Sequence, residues 1–261
     1  PMTARSTEPF RQRMHFEFEG ARIPVHVVLP ASPPRLTVIM LGGIWSVTPH
    51  LEDLCDRLAD AGFGAIAPCQ FRGVGIPARD APAEALRQTF LDFDDRRCTR
   101  DLRAIVRAAS LGSFGFAPGA LVPCGFCRGG RFAHTLGAVS EHVAGVVNFY
   151  GRLRFARQAI KPFLPIELTH LIEVPYLGHF AESDSLIPAE DVDELRVALD
   201  VFNRVHLAEW NAFGLQRDLD AGLGAHQFPG HANEVGHVDE VPDLEAWIPH
   251  SVLADVHLKV G

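Results

Sequence analysis

The 261 residues are 47% hydrophobic, with 24 Lys+Arg against 32 Asp+Glu and a formal net charge of -8. That supports a sizeable core, and the acidic balance argues against nucleic acid or an anionic membrane as partner. Five cysteines, an odd number spread along a long chain, fit a reducing compartment better than a disulfide framework, so the expected setting is cytoplasmic.

The N-terminal stretch PMTARSTEPFRQRMHFEFEG has no apolar core before a small-residue cleavage site, so no signal peptide is expected. MHFEFEG at 14–20 and RIPVHVVLP at 22–30 alternate apolar and polar residues, with Glu19-Gly20 between them; this predicts an antiparallel hairpin. LTVIML at 36–41 is a continuous apolar run, the pattern of a strand buried on both faces. Thr48-Pro49 opens a helix to about Asp60, stopped by Gly62. FGAIAP is the next strand, 73–92 mixes loop with short helix, and 94–111 is a charged amphipathic helix. Strand GALVPCGF at 119–126 leads into helix RGGRFAHTLGAVS, then strand HVAGVVNFYG at 142–151 and strand plus loop VPYLGHFAESD at 174–184. Helix AEDVDELRVAL, strand FNRVHLAEW and a closing helix at 242–258 complete the series; 152–172 and 211–237 read as irregular. Strands alternating with helices predict an α/β fold: a mostly parallel sheet with helices on both faces, one domain over 1–261. No run approaches the roughly 20 apolar residues of a membrane span.

LVPCGFCRGG at 121–130 permits two chemistries. Cys124 and Cys127 form a C-x-x-C pair that could cycle between dithiol and disulfide. Alternatively, Cys127 alone sits between Gly125 and Gly129, the spacing of a nucleophile elbow with sulfur in place of oxygen. A strand leads in, a helix follows, and small residues flank the turn, which favours the second. The helix start should help lower the thiol pKa, and the Arg128 N–H can receive an oxyanion. Such a nucleophile needs a base, and the base an orienting acid. Asp184 follows a buried strand, and His226, His231 and His237 lie in the loop after the last strand.

GFCRGG, PYLGHFAESDSLIPAEDVDEL and AHQF together resemble the dienelactone hydrolases, which are α/β-hydrolases with a Cys-Asp-His triad. GGIWSVTPHLEDLCDRLADAGFGAIAP and NFYG extend the similarity, to roughly residues 14–258. The resemblance implies an α/β-hydrolase fold, with Cys127 as nucleophile, Asp184 as acid and His226 as base, His231 being the runner-up. It implies N–H donors at Ile44 and Arg128, and Trp45 and Tyr150 lining the pocket. This chain departs from the family by having Gly42-Gly43 where the family has His-Glu. It also lacks the family's arginine shortly after the histidine, and Arg87 only lies near the other carboxylate-binding arginine.

The expectation is a cysteine-dependent hydrolase of a small ester or lactone, monomeric or homodimeric. Neither cofactor nor metal is expected: His226, His231, Glu234 and His237 fit no standard ligand spacing. Two other readings stay open here, a thiol redox or sensing protein using Cys124 and Cys127, and a non-catalytic relative of the hydrolases.

Overall fold

The alternating segments at the start of the chain pair as an antiparallel hairpin, β1 (Phe10–Phe18) and β2 (Ala21–Leu29), with Phe10 opposite Leu29 and Phe18 opposite Ala21. Glu19 and Gly20 turn the chain with φ of 46° and 72°, left-handed values that match the strand twist. The computed structural model describes residues 9–181, 184–200 and, as backbone, 205–210.

Six further strands follow: β3 (Leu36–Leu41), β4 (Gly64–Pro68), β5 (Ala120–Phe126), β6 (Val146–Phe149), β7 (Tyr176–Ala181) and β8 (Val205–Trp210). All join one sheet in the order β1-β2-β4-β3-β5-β6-β7-β8. β2 meets β4 antiparallel, and every pairing from β4 to β8 is parallel. Each residue of β3 and β4 is buried, as their unbroken apolar runs require of strands covered on both faces.

The helices are α1 (Pro49–Asp60), α2 (Ala83–Asp92), α3 (Asp95–Ser110), α4 (Arg128–Val139), the short α5 (Pro165–Leu168) and α6 (Ala189–Asp200). The Thr48 hydroxyl accepts the Leu51 N–H at 3.2 Å and the Asp94 carboxylate accepts that of Arg97 at 2.9 Å, so α1 and α3 each begin on a side-chain cap. α1 packs Leu51, Leu54, Cys55 and Leu58 on one sheet face, with Val38, Met40, Ala65 and Val122. α3, α4 and α6 cover the opposite face, where Leu102, Ile105, Phe132, Leu136 and Leu195 meet Ile39, Leu41 and Ile66. Each large aliphatic side chain buried this way contributes roughly 1.5–3 kcal/mol. Among the described residues no helix is long and apolar enough to cross a membrane.

Three segments differ from the pattern-based expectation. β1 begins at Phe10, four residues before the alternating run at 14–20. β6 is shorter than the apolar run at 142–151, because Tyr150 turns to φ 41° and donates its N–H to the His179 carbonyl. The stretch 152–172 contains α5 and a 3-10 turn, Thr169–Leu171, too short for periodicity to reveal. The helix expected at 242–258 and the loop at 211–237 lie outside the described residues. β3, β5, β6 and β7 all deliver their carboxyl ends to one edge of the sheet, the edge at which open α/β sheets hold ligands.

Candidate active site

β5 brings Cys127 to the point where strand gives way to helix, α4 starting at Arg128. Cys127 adopts φ 54° and ψ −116°, a strained conformation that costs a residue with a side chain on the order of 1–3 kcal/mol. Two backbone hydrogen bonds hold it there: Cys127 N–H to the Phe149 carbonyl at 2.9 Å, and Arg131 N–H to the Cys127 carbonyl at 3.2 Å. The flanking glycines are required by close approach. A Cβ on Gly125 would stand 2.2 Å from the Gly129 backbone, and one on Gly129 only 1.9 Å from the Leu41 carbonyl oxygen. The helix start therefore packs backbone to backbone on the strand ends.

The turn after β3 lies against this elbow. A Cβ on Gly43 would be 3.6 Å from the Cβ of Cys127, which puts Ile44, the next residue, beside the nucleophile position. Ser46 N–H bonds the Gly43 carbonyl at 3.0 Å and closes the turn. Trp45 Nε1 donates to the Ala78 carbonyl at 3.3 Å, fastening the loop before α2 to the same place. Gln70, just past β4, donates its N–H to Ser46 Oγ at 2.9 Å and its Nε2 to the Gly42 carbonyl at 3.1 Å. Arg128, 4% exposed, reaches the turn from the elbow itself. Its Nη2 donates to the carbonyls of Gly43 at 3.0 Å and Ile44 at 3.2 Å, and to Gln70 Oε1 at 3.1 Å.

Asp184 follows β7 at the same edge, its Oδ1 accepting the Leu186 N–H at 2.8 Å. Tyr150 stands at the end of β6, 40% exposed, its ring centroid 6.4 Å from that of Phe126. The described residues thus bring together Cys127, Arg128, Ile44, Trp45, Tyr150 and Asp184. His226, His231 and His237 lie outside them. Arg87 is committed elsewhere: it pairs with Glu84 at 2.7 Å on the exposed face of α2.

The sequence model of the dienelactone hydrolase family matches residues 23–209, an interval that includes all six of these site residues. The chain belongs to that family. It is similar to a Yersinia pestis protein provisionally named carboxymethylenebutenolidase, with 30% identity over 188 residues, 71% of this chain and 70% of the relative. The carboxymethylenebutenolidase of Rhodococcus opacus is 32% identical over 170 residues, 62% of each chain. A crystal structure from Klebsiella pneumoniae subsp. pneumoniae MGH 78578, provisionally assigned as a dienelactone hydrolase, superposes with a TM-score of 0.70 at 25% identity. That match covers 78% of this chain and 87% of the other. This dienelactone hydrolase relative is thus an α/β-hydrolase by fold, and an ester- or lactone-cleaving enzyme by family.

In this member of the dienelactone hydrolases the resting thiol is less acidic than the helix start suggests. Cys127 is accessible to solvent yet ringed by protein. Burial is the largest influence and raises its pKa, and the Asp184 charge adds to the rise. The Arg128 N–H bonded to the sulfur and the charges of Arg128 and Arg131 pull the other way and are outweighed. A thiol held above its ordinary range is protonated at neutral pH, so the described residues alone leave it in need of a base. Burial, and then Cys127, push the Tyr150 hydroxyl up to about 12.

Ser46, Gln70 and the side chain of Arg128 are the residues that sequence reasoning missed. One signal was available, since Arg128 and Arg131 interrupt an otherwise apolar helix start. Gln70 carries no such mark, because its partners lie 24, 28 and 58 residues away.

Proposed function

We propose that this family member cleaves a small carboxylic ester or lactone with Cys127 as its nucleophile. The observation that carries the reading is the left-handed Cys127 at a glycine-flanked strand-to-helix turn. Such strain persists where the surrounding structure enforces it, and it exposes the side chain at the sheet edge.

In this scheme His226 takes the proton from Cys127, with His231 as the second candidate, and Asp184 orients the imidazole. The thiolate attacks the carbonyl carbon and forms the S–C bond. The N–H groups of Ile44 and Arg128 receive the oxyanion. Collapse breaks the C–O bond, and the alkoxide or enolate leaves with the proton from the histidine. Water, deprotonated by the same histidine, then attacks the thioester; the C–S bond breaks, the histidine returns the proton to sulfur, and the carboxylic acid departs and ionises in solvent. Trp45 and Tyr150 border the space for a small substrate. With Arg87 paired to Glu84, nothing on α2 favours an anionic substrate over an uncharged one.

The redox reading is less well supported. Cys124 is buried in β5 between Met40 and Val147 and packs within the cluster under α1. Burial, with Cys55 nearby, pushes its thiol up to about 12, far from the reactive range. Cys127, by contrast, is exposed.

The deciding experiment is Cys127→Ala with p-nitrophenyl acetate, alongside mass spectrometry of the wild-type chain after an electrophilic ester analogue. The variant should lose at least ~10³-fold in turnover, with the label on Cys127. Full activity without Cys127 overturns the scheme. A reversible Cys124–Cys127 disulfide in an inactive wild-type protein would favour redox instead.

A further inference from the structure

Arg128 is an unexpected place for a charge. It is 4% exposed, and its hydrogen bonds among the described residues go to two carbonyls and an amide oxygen, none to a carboxylate. Among the described residues Nε and Nη1 are buried without a hydrogen-bond partner. The guanidinium carbon lies 4.3 Å from the ring centroid of Phe71 and 4.1 Å from that of Phe93. Arg131, one turn further along α4, instead pairs with Asp95 at 3.0 Å. Among the described residues Asp95 favours the Arg128 cation only through its charge, not by a hydrogen bond; a buried cation held this loosely is costly, so its position asks for a reason beyond packing.

We propose that the Arg128 guanidinium is a positioning residue: it clamps the Gly42–Trp45 turn over Cys127 so that the Ile44 N–H faces the oxyanion, and it holds positive charge beside the sulfur. This rests on the reading of Cys127 as nucleophile. Covalent geometry couples the clamp to the oxyanion donor. The Gly43 carbonyl and the Ile44 N–H belong to one planar, trans peptide unit and point in opposite directions. A donor that fixes the Gly43 oxygen therefore aims the Ile44 N–H the other way. A cationic donor on that oxygen also polarises the peptide and strengthens its N–H. Gln70 completes the clamp, accepting from the same Nη2 while holding the Gly42 carbonyl and Ser46. Phe71 and Phe93 fix the plane of the guanidinium by cation–π contact.

The charged and titratable groups felt by Cys127 among the described residues are Arg128 and Arg131 on α4, Asp184 after β7 and Tyr150 at the end of β6. Of these, Arg128 is the one hydrogen-bonded to the turn. Two readouts then separate clamp from charge: steady-state hydrolysis of p-nitrophenyl acetate, and the pH profile of Cys127 alkylation by iodoacetamide, located by mass spectrometry. In the full chain, Arg128→Met should lower kcat roughly ten- to a hundredfold, with KM within about threefold, and move the alkylation profile to higher pH. Arg128→Lys should return the profile toward wild type while kcat stays low, because it restores charge without the planar group that Phe71 and Phe93 hold in register with the turn. Both variants keep the Arg128 backbone N–H, so the other oxyanion donor is unaltered.

Wild-type kcat and an unmoved profile in Arg128→Met overturn the proposal, as does a change confined to KM. Should Arg128→Met fail to fold, Arg128→Lys and Gln70→Leu take its place: lowered kcat at unchanged KM supports the clamp, and wild-type kcat in both overturns it. Alkylation reads the sulfur without turnover, so the two ideas fail differently. Full activity in Cys127→Ala sinks the nucleophile reading and the clamp with it. A Cys127-dependent enzyme indifferent to residue 128 sinks the clamp alone.

Discussion

Gly42 and Gly43 are neighbours in sequence with opposite tolerances. A Cβ on Gly42 would fall 1.9 Å from the Ser46 carbonyl oxygen, inside the turn that carries Ile44. A Cβ on Gly43 would meet the Cβ of Cys127 at 3.6 Å, an ordinary contact distance. Gly42→Ala should therefore cost on the order of 1–3 kcal/mol, as overpacking does. Gly43→Ala should unfold at nearly the wild-type urea concentration. Urea midpoints of the two variants check this, and the reverse order would refute the packing argument. The sequence shows a Gly-Gly pair; it does not show that the first is demanded by the turn while the second leaves room beside the sulfur.

Between elements, α4 is tied to the strands by a buried polar chain. Asn148 Nδ2 donates to the Tyr176 hydroxyl at 2.8 Å, and that hydroxyl lies 3.0 Å from His134 Nδ1. His134 Nε2 lies 2.8 Å from the Pro165 carbonyl. A carbonyl can only accept, so Nε2 carries the ring proton and Nδ1 accepts from the tyrosine. The chain links β6, β7, α4 and α5 directly behind the elbow, and Asn148 Oδ1 also accepts the Gly151 N–H at 2.9 Å. Tyr176→Phe would leave a buried amide donor and a buried imidazole acceptor unpaired. It should cost about 1–3 kcal/mol in chemical denaturation, while the folded variant keeps its esterase activity. A variant as stable as wild type would mean that the chain contributes nothing net.

For the whole molecule the same buried groups set the response to acid. Burial pulls the pKa of His134 down to about 4 and that of His179 to about 3, and it lowers His26 as well. The folded state thus resists a proton that the unfolded state accepts near pH 6.5. Stability from these groups is present above the unfolded value and is lost as pH falls toward the folded ones, at up to ~1.4 kcal/mol per pH unit for each fully buried ring. Asp95, raised by burial despite Arg131, acts in the opposite sense nearer the carboxylate range. The urea midpoint should accordingly fall between pH 7 and pH 5.5. An unchanged or higher midpoint at pH 5.5 would contradict the neutral buried histidines.

What the sequence determined by itself is local. Alternation and unbroken apolar runs marked the hairpin and the buried strands. Thr48-Pro49 marked a helix start, and Gly125 and Gly129 around Cys127 marked the elbow, because caps and tight turns are written in residues a few positions apart. Strand order, the meeting of the Gly42–Trp45 turn with the elbow, and the polar chain behind it were decided by tertiary structure. Their partners are separated by tens of residues, and spacing carries no record of them. The acidity of Cys127 belongs with these: the helix start pulls it down, as the sequence suggests, but burial by distant segments pushes it up further. The guanidinium of Arg128 is the clearest case. As one letter in GFCRGG it offers the elbow its backbone N–H; packed between Phe71 and Phe93, its side chain reaches the carbonyls of Gly43 and Ile44.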